Sequence, residues 1–437
     1  MNIILLSGGS GKRLWPLSND IRSKQFVKIF KNEDGTYESM VQRMYRQIKK
    51  VDKNATITIA TSKTQVSVIH NQLGNKVGIS VEPCRRDTFP AIALAAAYLK
   101  DVKGIDLDEP VIVCPVDPYV NEDYFVALKK LSFQVKKDES NLVLMGIEPT
   151  YPSEKYGYII PIDDLNISNV RFFREKPTED TAKKYIEQGA LWNSGVFAFK
   201  LRYLIQKSHE LINYTDYTDL FSKYKVQPKI SFDYAVVEKE DKIQVMRFAG
   251  EWKDLGTWNT LTEVMEDSVI GEAIKDDTCE GVNIINELDI PIIVMGLNNV
   301  VISASPDGIL VSDKEKSVNI KKYTELFKSE ARFAEKSWGN FRVIDTSSDS
   351  LTIKVNIKAG DGMNYHSHSR RDEVWVIVSG EGKSVLDGIE KNVLPGDVIT
   401  MKAGCRHTIF AKTDLMIIEV QLGKEISIDD KCKFPLK

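Results

Sequence analysis

From Met1 to about Met265, short apolar runs alternate with longer polar segments of helical character. Residues 3–6, 56–60, 111–114 and 142–145 are aliphatic and β-branched, and they predict buried strands. Residues 91–99 are rich in alanine and predict a helix. Strands alternating with helices indicate an α/β fold, here a Rossmann-like, mainly parallel sheet with helices on both faces. Ligands of such sheets collect beyond the carboxyl ends of the strands.

The pattern changes near residue 268. Residues 279–311 are rich in Val, Ile, Asn, Gly and Asp, with few helix formers. Residues 282–285, 290–294 and 300–303 predict short strands with turns between them, a small module like a few rungs of a left-handed β-helix. Residues 313–334 are charged and predict a connecting helix and linker. From about Trp338 the pattern is all-β, with Gly360, Gly362, Gly380, Gly382, Gly388 and Gly396 at turns, which predicts a compact barrel. The expected domains are 1–267, 268–330 and 331–437.

Composition narrows the picture. A chain of 437 residues has room for two to three domains. With 42% hydrophobic and 28% charged residues it is ordinary for a soluble globular protein. A net charge of −3 leaves no basic excess to attract nucleic acid or an anionic membrane. No apolar run approaches the length of a spanning helix. The apolar run at 3–6 is too short for a secretory signal and has no basic lead-in, so the expected location is the cytoplasm. Cys84, Cys114, Cys279, Cys405 and Cys432 are scattered and lack CxxC spacing, which favours free thiols.

The chemistry starts where the first strand ends. Gly8, Gly9 and Gly11 are followed at once by Lys12 and Arg13. Such a turn exposes backbone N–H groups to a phosphate, and the cations add charge. It is not a Walker loop, because Arg13 follows Lys12. Nor is it a dinucleotide fingerprint, because Leu14 stands where a third glycine belongs. Asp117 follows the strand at 111–115, and Asp254 lies in Trp252-Lys253-Asp254-Leu255-Gly256. A carboxylate pair beyond strand ends suits Mg²⁺, although either Asp alone reads more readily as a cap or turn residue.

Only five histidines occur, and His366, His368 and His407 fall close together in the last segment. On a strand, His366 and His368 point to one side. With Glu373 and His407 they form a set of three nitrogens and one oxygen that would chelate a transition metal, zinc foremost, with manganese, iron or nickel as alternatives.

Many ordered motifs resemble the sugar-1-phosphate nucleotidyltransferases, and among them the mannose-1-phosphate guanylyltransferases. They include residues 6–17, Lys24-Gln25-Phe26, Glu82-Pro83, Arg86 to Ala93, Pro115-Val116-Asp117, Tyr156-Gly157-Tyr158, Phe173-Arg174-Glu175-Lys176-Pro177, Trp192-Asn193-Ser194-Gly195, Ser231 to Lys239 and residues 252–258. Residues 296–302 and 307–314 continue the likeness into the β module. The resemblance implies that Leu6, Gly8, Gly9, Gly11, Lys12, Arg13 and Arg86 bind a nucleoside triphosphate. Arg13 and Lys24 would act near the reacting phosphates, and Asp117 and Asp254 would hold Mg²⁺. Gly157, Glu175 and Asn193 would recognise a sugar, and Lys176 its phosphate. The expected reaction is attack of a sugar-1-phosphate on the nucleotide α-phosphorus, with release of pyrophosphate. Asp87, Phe89, Pro118 and Ser23 depart from the family pattern, which leaves the base (GTP first, CTP as an alternative) and the sugar open.

The histidine segment resembles both halves of the cupin signature, with Lys402 in place of a usual proline. A cupin behind a guanylyltransferase resembles bifunctional enzymes that also interconvert mannose-6-phosphate and fructose-6-phosphate. Arg371, Glu373, Trp375, Glu419, Gln421 and Gly423 match that domain. His366 stands where that family has Gln, Asp429-Asp430-Lys431-Cys432-Lys433 stands where it has Asp-Asp-x-x-Arg, and its final Arg-x-x-Asp-x-Tyr-Gly-Arg motif is not matched, so a cation for the sugar phosphate is expected to be missing with it. The alternatives to a nucleotidyltransferase with a metal cupin are a working isomerase in addition, or a regulatory nucleotide-binding protein without turnover. A homodimer is a further expectation.

Overall fold

A computed structural model describes residues 1–9, 12–19, 21–326, 331–427 and 430–435, with Lys12 described by its backbone alone. These residues form two compact units. One comprises Met1–Leu14, Ser23–Val66 and Asn75–Ser268; the other comprises Trp15–Arg22, Ser67–Gly74 and Val269–Lys437.

The first unit is built on a nine-stranded sheet. Its order is Gly78–Glu82, Thr56–Ser62, Asn2–Ser7, Pro110–Pro115, Leu191–Lys200, Leu142–Ile147, Ile243–Phe248, Ile167–Arg174 and Tyr158–Pro161. The first four strands pair in parallel, and Leu191–Lys200 is inserted antiparallel beside Pro110–Pro115. The apolar runs are its central strands: Ile3, Ile4, Leu5, Val111, Ile112 and Val113 are wholly buried. Parallel strands covered on both faces need such unbroken runs. The alanine-rich helix spans Thr88–Asp101, and Asp87 caps it by accepting from Thr88 N. Small side chains let ten of its residues bury, from Phe89 to Ala97 and Leu99.

Register positions the chemistry. Leu6 lies opposite Pro115 in the parallel ladder, so the glycine turn and Asp117 leave the sheet at the same edge. The short strand Trp252–Asp254 pairs antiparallel with Pro118–Val120 and sets Asp254 opposite Pro118, beside Asp117.

The second unit begins with a small β module. Val269–Ile270, Asn283–Asn286 and Val300–Ser305 stack in parallel, as do Ala273–Lys275 and Ile292–Val294. Val282, Ile284, Val294 and Ile302 fill its interior. At one corner Gly271 adopts φ +87°, and a Cβ there would lie 1.9 Å from the Asn286 carbonyl oxygen. Only glycine fits such a corner. The barrel that follows has two antiparallel sheets, of six and five strands, around Trp375, Ile377, Ile409 and Ile417. Among the described residues no helix is long and apolar enough to cross a membrane.

The chain segment Trp15–Arg22 packs within this second unit although its neighbours belong to the first. Arg22 is buried and donates twice to Glu287, at 2.7 and 2.8 Å, with its guanidinium 5.1 Å from the Phe333 ring centroid. Asn19 donates to Asp307 at 2.6 Å, and Ser305 to the Pro16 carbonyl at 2.7 Å. Removing one partner of a buried ion pair leaves an uncompensated charge. Glu287→Ala is therefore expected to destabilise the second unit by about 3 kcal/mol. Chemical denaturation read by tryptophan fluorescence checks this, and an unchanged midpoint rules the pair out as a stabilising contact.

Candidate active site and candidate metal centre

The glycine turn opens onto free space: a Cβ added at Gly8 or Gly9 would meet nothing within 4 Å. Ser10, Gly11 and the Lys12 side chain lie outside the described residues. The turn rests on a buried polar network that the sequence reading missed. Ser23 Oγ donates to the Gly9 carbonyl at 2.8 Å, and Gln65 Nε2 donates to Ser23 Oγ at 2.6 Å. Thr61 Oγ1 donates to Gln65 Oε1 at 2.7 Å, and Gln25 Nε2 donates to Ser7 Oγ at 3.0 Å. A satisfied buried network of this kind stiffens the loop it carries. In the sequence Ser23 registers only as a departure from the family, and Gln65 carries no signal at all. Leu6 ties the same edge to the aspartate loop, its carbonyl accepting from Val116 N at 3.2 Å.

Three predicted residues meet beyond that edge. Lys24 Nζ lies 2.9 Å from Asp117 Oδ2 and 3.8 Å from Asp254 Oδ1, and it donates to the Leu255 carbonyl at 3.1 Å. Burial raises the pKa of Asp254; Lys24 and Arg13 pull it down, and Asp117 pushes it up. Gly256 borders this corner: a Cβ there would make ordinary contact with Asp254 Oδ2 at 3.4 Å and Arg13 Nη1 at 3.7 Å. Two carboxylates facing one cation form a donor set that fits a hard divalent ion. Arg86 is half-buried, and its Nε is buried without a hydrogen-bond partner.

A second cluster adjoins the first through aromatic rings. Tyr156 lies 5.6 Å from Trp252 and 4.9 Å from Trp192, centroid to centroid. Beside it, Gly157 has no room for a side chain: a Cβ would lie 2.5 Å from Glu175 Oε2 and 2.7 Å from the Phe173 ring. The Gly157 carbonyl accepts from Asn193 N at 2.8 Å. Lys176 forms an ion pair with Glu175 Oε1, while Glu175 Oε2 is buried without a hydrogen-bond partner. A register shift between Asn193 and Phe197 breaks the ladder here and re-aims Asn193. Asn193 Nδ2 then donates to Asp233 Oδ1 at 2.7 Å. Asp233 is the titratable member that the sequence reading did not single out. Its motif, Ser231-Phe232-Asp233-Tyr234, was visible, but its contact with Asn193 spans 40 residues.

The barrel brings His366, His368, Glu373 and His407 together, all buried, with one ligand atom from each within 4.8 Å of the others. His366 lies directly opposite His407 in the antiparallel ladder. Every Nδ1 faces a main-chain carbonyl: His366 that of Asn364 at 2.6 Å, His407 that of Cys405 at 3.0 Å, and His368 that of Asp430. Such partners place the proton on Nδ1 and leave the Nε2 lone pair facing inward. Burial pulls His366 down to about 2 and lowers His368, so both rings are neutral. Burial would raise Glu373, but the nearby His368, His407 and Arg371 hold it below the usual carboxylate range. Glu373 Oε2 and His407 Nε2 approach to 3.1 Å, yet neither has a hydrogen-bond partner of proper geometry. Three imidazoles, one carboxylate and two orphaned ligand atoms fit a transition metal. Arg371 donates to Glu373 Oε1 and to His368 Nε2, each at 3.0 Å. All five cysteines are free.

Comparison with known proteins follows the same division. A family model described as nucleotidyl transferase matches residues 2–269, and one described as mannose-6-phosphate isomerase C-terminal matches residues 325–435. Mannose-1-phosphate guanylyltransferase of Salmonella montevideo is 28% identical over 99% of this chain and 98% of its own. Xanthan biosynthesis protein XanB of Xanthomonas campestris pv. campestris is 30% identical over 99% and 97%. A crystal structure described as mannose-1-phosphate geranyltransferase from Thermus thermophilus superposes with a TM-score of 0.61 at 25% identity, covering 75% of this chain and 99% of that one.

Asp233 provides a pH test. Burial, with Glu175 adding to it, raises its pKa from the ordinary 3.8 to about 7. The folded state thus holds this proton more tightly than the unfolded chain. The associated stability is complete below about pH 4 and is lost as pH rises through 7. Asp233→Asn is expected to abolish that loss, so that the variant gains stability relative to wild type between pH 4 and pH 7. Denaturation midpoints across this range check it; a difference between the two proteins that does not vary with pH removes Asp233 as the titrating group.

Proposed function

We propose, on the premise that the chain belongs to the nucleotidyl transferase family, that this enzyme transfers a guanylyl group from GTP to mannose-1-phosphate. An oxygen of the sugar phosphate forms a bond to the α-phosphorus, the bond to the β-phosphate breaks, and pyrophosphate leaves. The observation that carries this reading is the convergence of Lys24, Asp117 and Asp254 beside the glycine turn. In-line phosphoryl transfer asks for positioning and positive charge rather than a protein nucleophile.

The residues divide the work. Backbone N–H groups of Gly8, Gly9 and Gly11, with Lys12, Arg13 and Arg86, hold the triphosphate. Lys24 faces the reacting phosphates. Asp117 and Asp254 would hold Mg²⁺, which when bound supplies a counter-charge to the phosphate oxygens. Glu175 Oε2 accepts from a sugar hydroxyl, Asn193 and Gly157 shape the sugar site, and Lys176 pairs with the sugar phosphate. The choice of GTP and mannose-1-phosphate is supported by what the named relatives are called. The five free thiols suit a reducing cytoplasm.

A second reading is favoured by the isomerase-type match over residues 325–435. In it the cupin holds zinc through His366, His368, Glu373 and His407, and also interconverts mannose-6-phosphate and fructose-6-phosphate.

Two experiments test these readings. Pyrophosphate release measured with a panel of triphosphates and sugar-1-phosphates is expected to be fastest with GTP and mannose-1-phosphate. Asp117→Asn and Asp254→Asn should each lower that rate by a factor on the order of 10² or more at saturating Mg²⁺; near wild-type turnover removes either residue from the metal site. For the cupin, purified wild type should carry about one transition-metal ion per chain by elemental analysis. Replacing His366 and His368 together by Ala should remove that ion and leave nucleotidyl transfer largely unchanged. Retention of the ion in the double variant places it elsewhere.

A further inference from the structure

The four cupin ligands are not held equally. Glu373 and His407 lie on the regular strands Asp372–Ser379 and His407–Ala411. His366 lies on a strand of only two residues, His366–Ser367, and His368 lies just past its end. For His366 and His407, the carbonyl facing Nδ1 belongs to a residue two positions away in the same loop. For His368 it belongs to Asp430, 62 residues on. A distant segment therefore sets the orientation of this one ligand.

Asp430 does more than offer its carbonyl. Its Oδ1 accepts from Ser369 N at 2.9 Å and from Ser369 Oγ at 2.6 Å, and its Oδ2 accepts from Arg370 N at 2.9 Å. One residue thus takes bonds from three consecutive residues, 368 to 370. Asp430 is only 6% exposed. Hydrogen bonds from N–H and O–H groups to a carboxylate are the stronger kind.

The contacts continue on both sides. Cys432–Lys433 pairs antiparallel with His366–Ser367. Phe434 N donates to the Tyr365 carbonyl at 2.9 Å, and the Phe434 ring lies 4.3 Å from the Arg406 guanidinium. Arg371 Nη1 donates to the Ser427 carbonyl at 2.8 Å. The tail is a strap laid along the ligand loop.

Resting on the reading of the cupin as a metal centre, we propose that Asp430 is a positioning residue that sets its metal affinity by locking the His368 loop in its ligating shape. The side-chain bonds fix where the Asp430 carbonyl stands, and that carbonyl fixes which His368 nitrogen faces inward. Partners of this kind behind a ligand are worth about 10- to 100-fold in metal affinity.

The test uses the full chain stripped of metal. Co²⁺ is titrated while its visible absorption bands are followed, and Zn²⁺ affinity is read by competition. Asp430→Ala is expected to weaken both ions about 10- to 100-fold, with Asp430→Asn in between, while pyrophosphate release stays unchanged. Wild type that binds the ions while Asp430→Ala binds them within twofold overturns the role of Asp430. Wild type that takes up neither ion overturns the metal reading, and this inference with it. If metal-free Asp430→Ala loses the barrel's unfolding transition, Ser369→Ala decides, because it deletes one hydroxyl bond and leaves the carboxylate in place. About threefold to tenfold weaker binding supports the lock, and unchanged binding overturns it.

Discussion

The pairing of one ammonium with two carboxylates organises the candidate site of the first unit. Asp117, in the link between two strands, and Asp254, at the end of another, lie more than a hundred residues apart, and without a cation between them their charges repel. Lys24 supplies that cation at 2.9 and 3.8 Å. Its position depends on the antiparallel pairing of Trp252–Asp254 with Pro118–Val120, and on the parallel register that ends two strands at one edge. The buried Ser23–Gln65 network holds the glycine turn at that same edge. A slip of one residue in the short antiparallel pair would turn Asp254 away from Asp117.

The cupin centre solves a different electrostatic problem. Its ligands are buried, so charged imidazoles would be costly there, and burial keeps His366 and His368 neutral. Each ring turns Nδ1 to a main-chain carbonyl, which leaves Nε2 on the interior side, where that of His368 meets Arg371. The aspartate pair, oxygen-rich and open, suits a hard ion. The histidine set, nitrogen-rich and enclosed, suits a borderline one. The two donor sets thus suit different classes of ion.

Much of this was legible along the chain. The aliphatic runs at 3–6 and 111–114 are buried strands because nothing but a covered sheet accommodates them, and the alanine-rich run from residue 91 is a tightly packed helix. Close spacing betrayed the glycine turn and His366 with His368. Asp233, Gln65 and Asp430 gave no sign of their partners. Their significance lies in contacts across 40, 42 and 61 residues, and a lone polar residue in sequence does not announce its partner. The segment Trp15–Arg22 was equally silent. Its motif reads as part of the nucleotide loop, while Arg22 buries its charge against Glu287 in the β module.

Residue order by itself determined the α/β-then-β architecture, the family and the chemical types gathered at each centre, because period, glycine placement and ligand identity are local properties. Tertiary structure decided which atoms face one another: the lysine between two aspartates, the histidine nitrogen turned inward by a carbonyl 62 residues away, and the strap that holds it. Those outcomes depend on strand register and burial. Both arise only when distant segments meet and exclude water, and neither can be read from a residue and its neighbours in sequence.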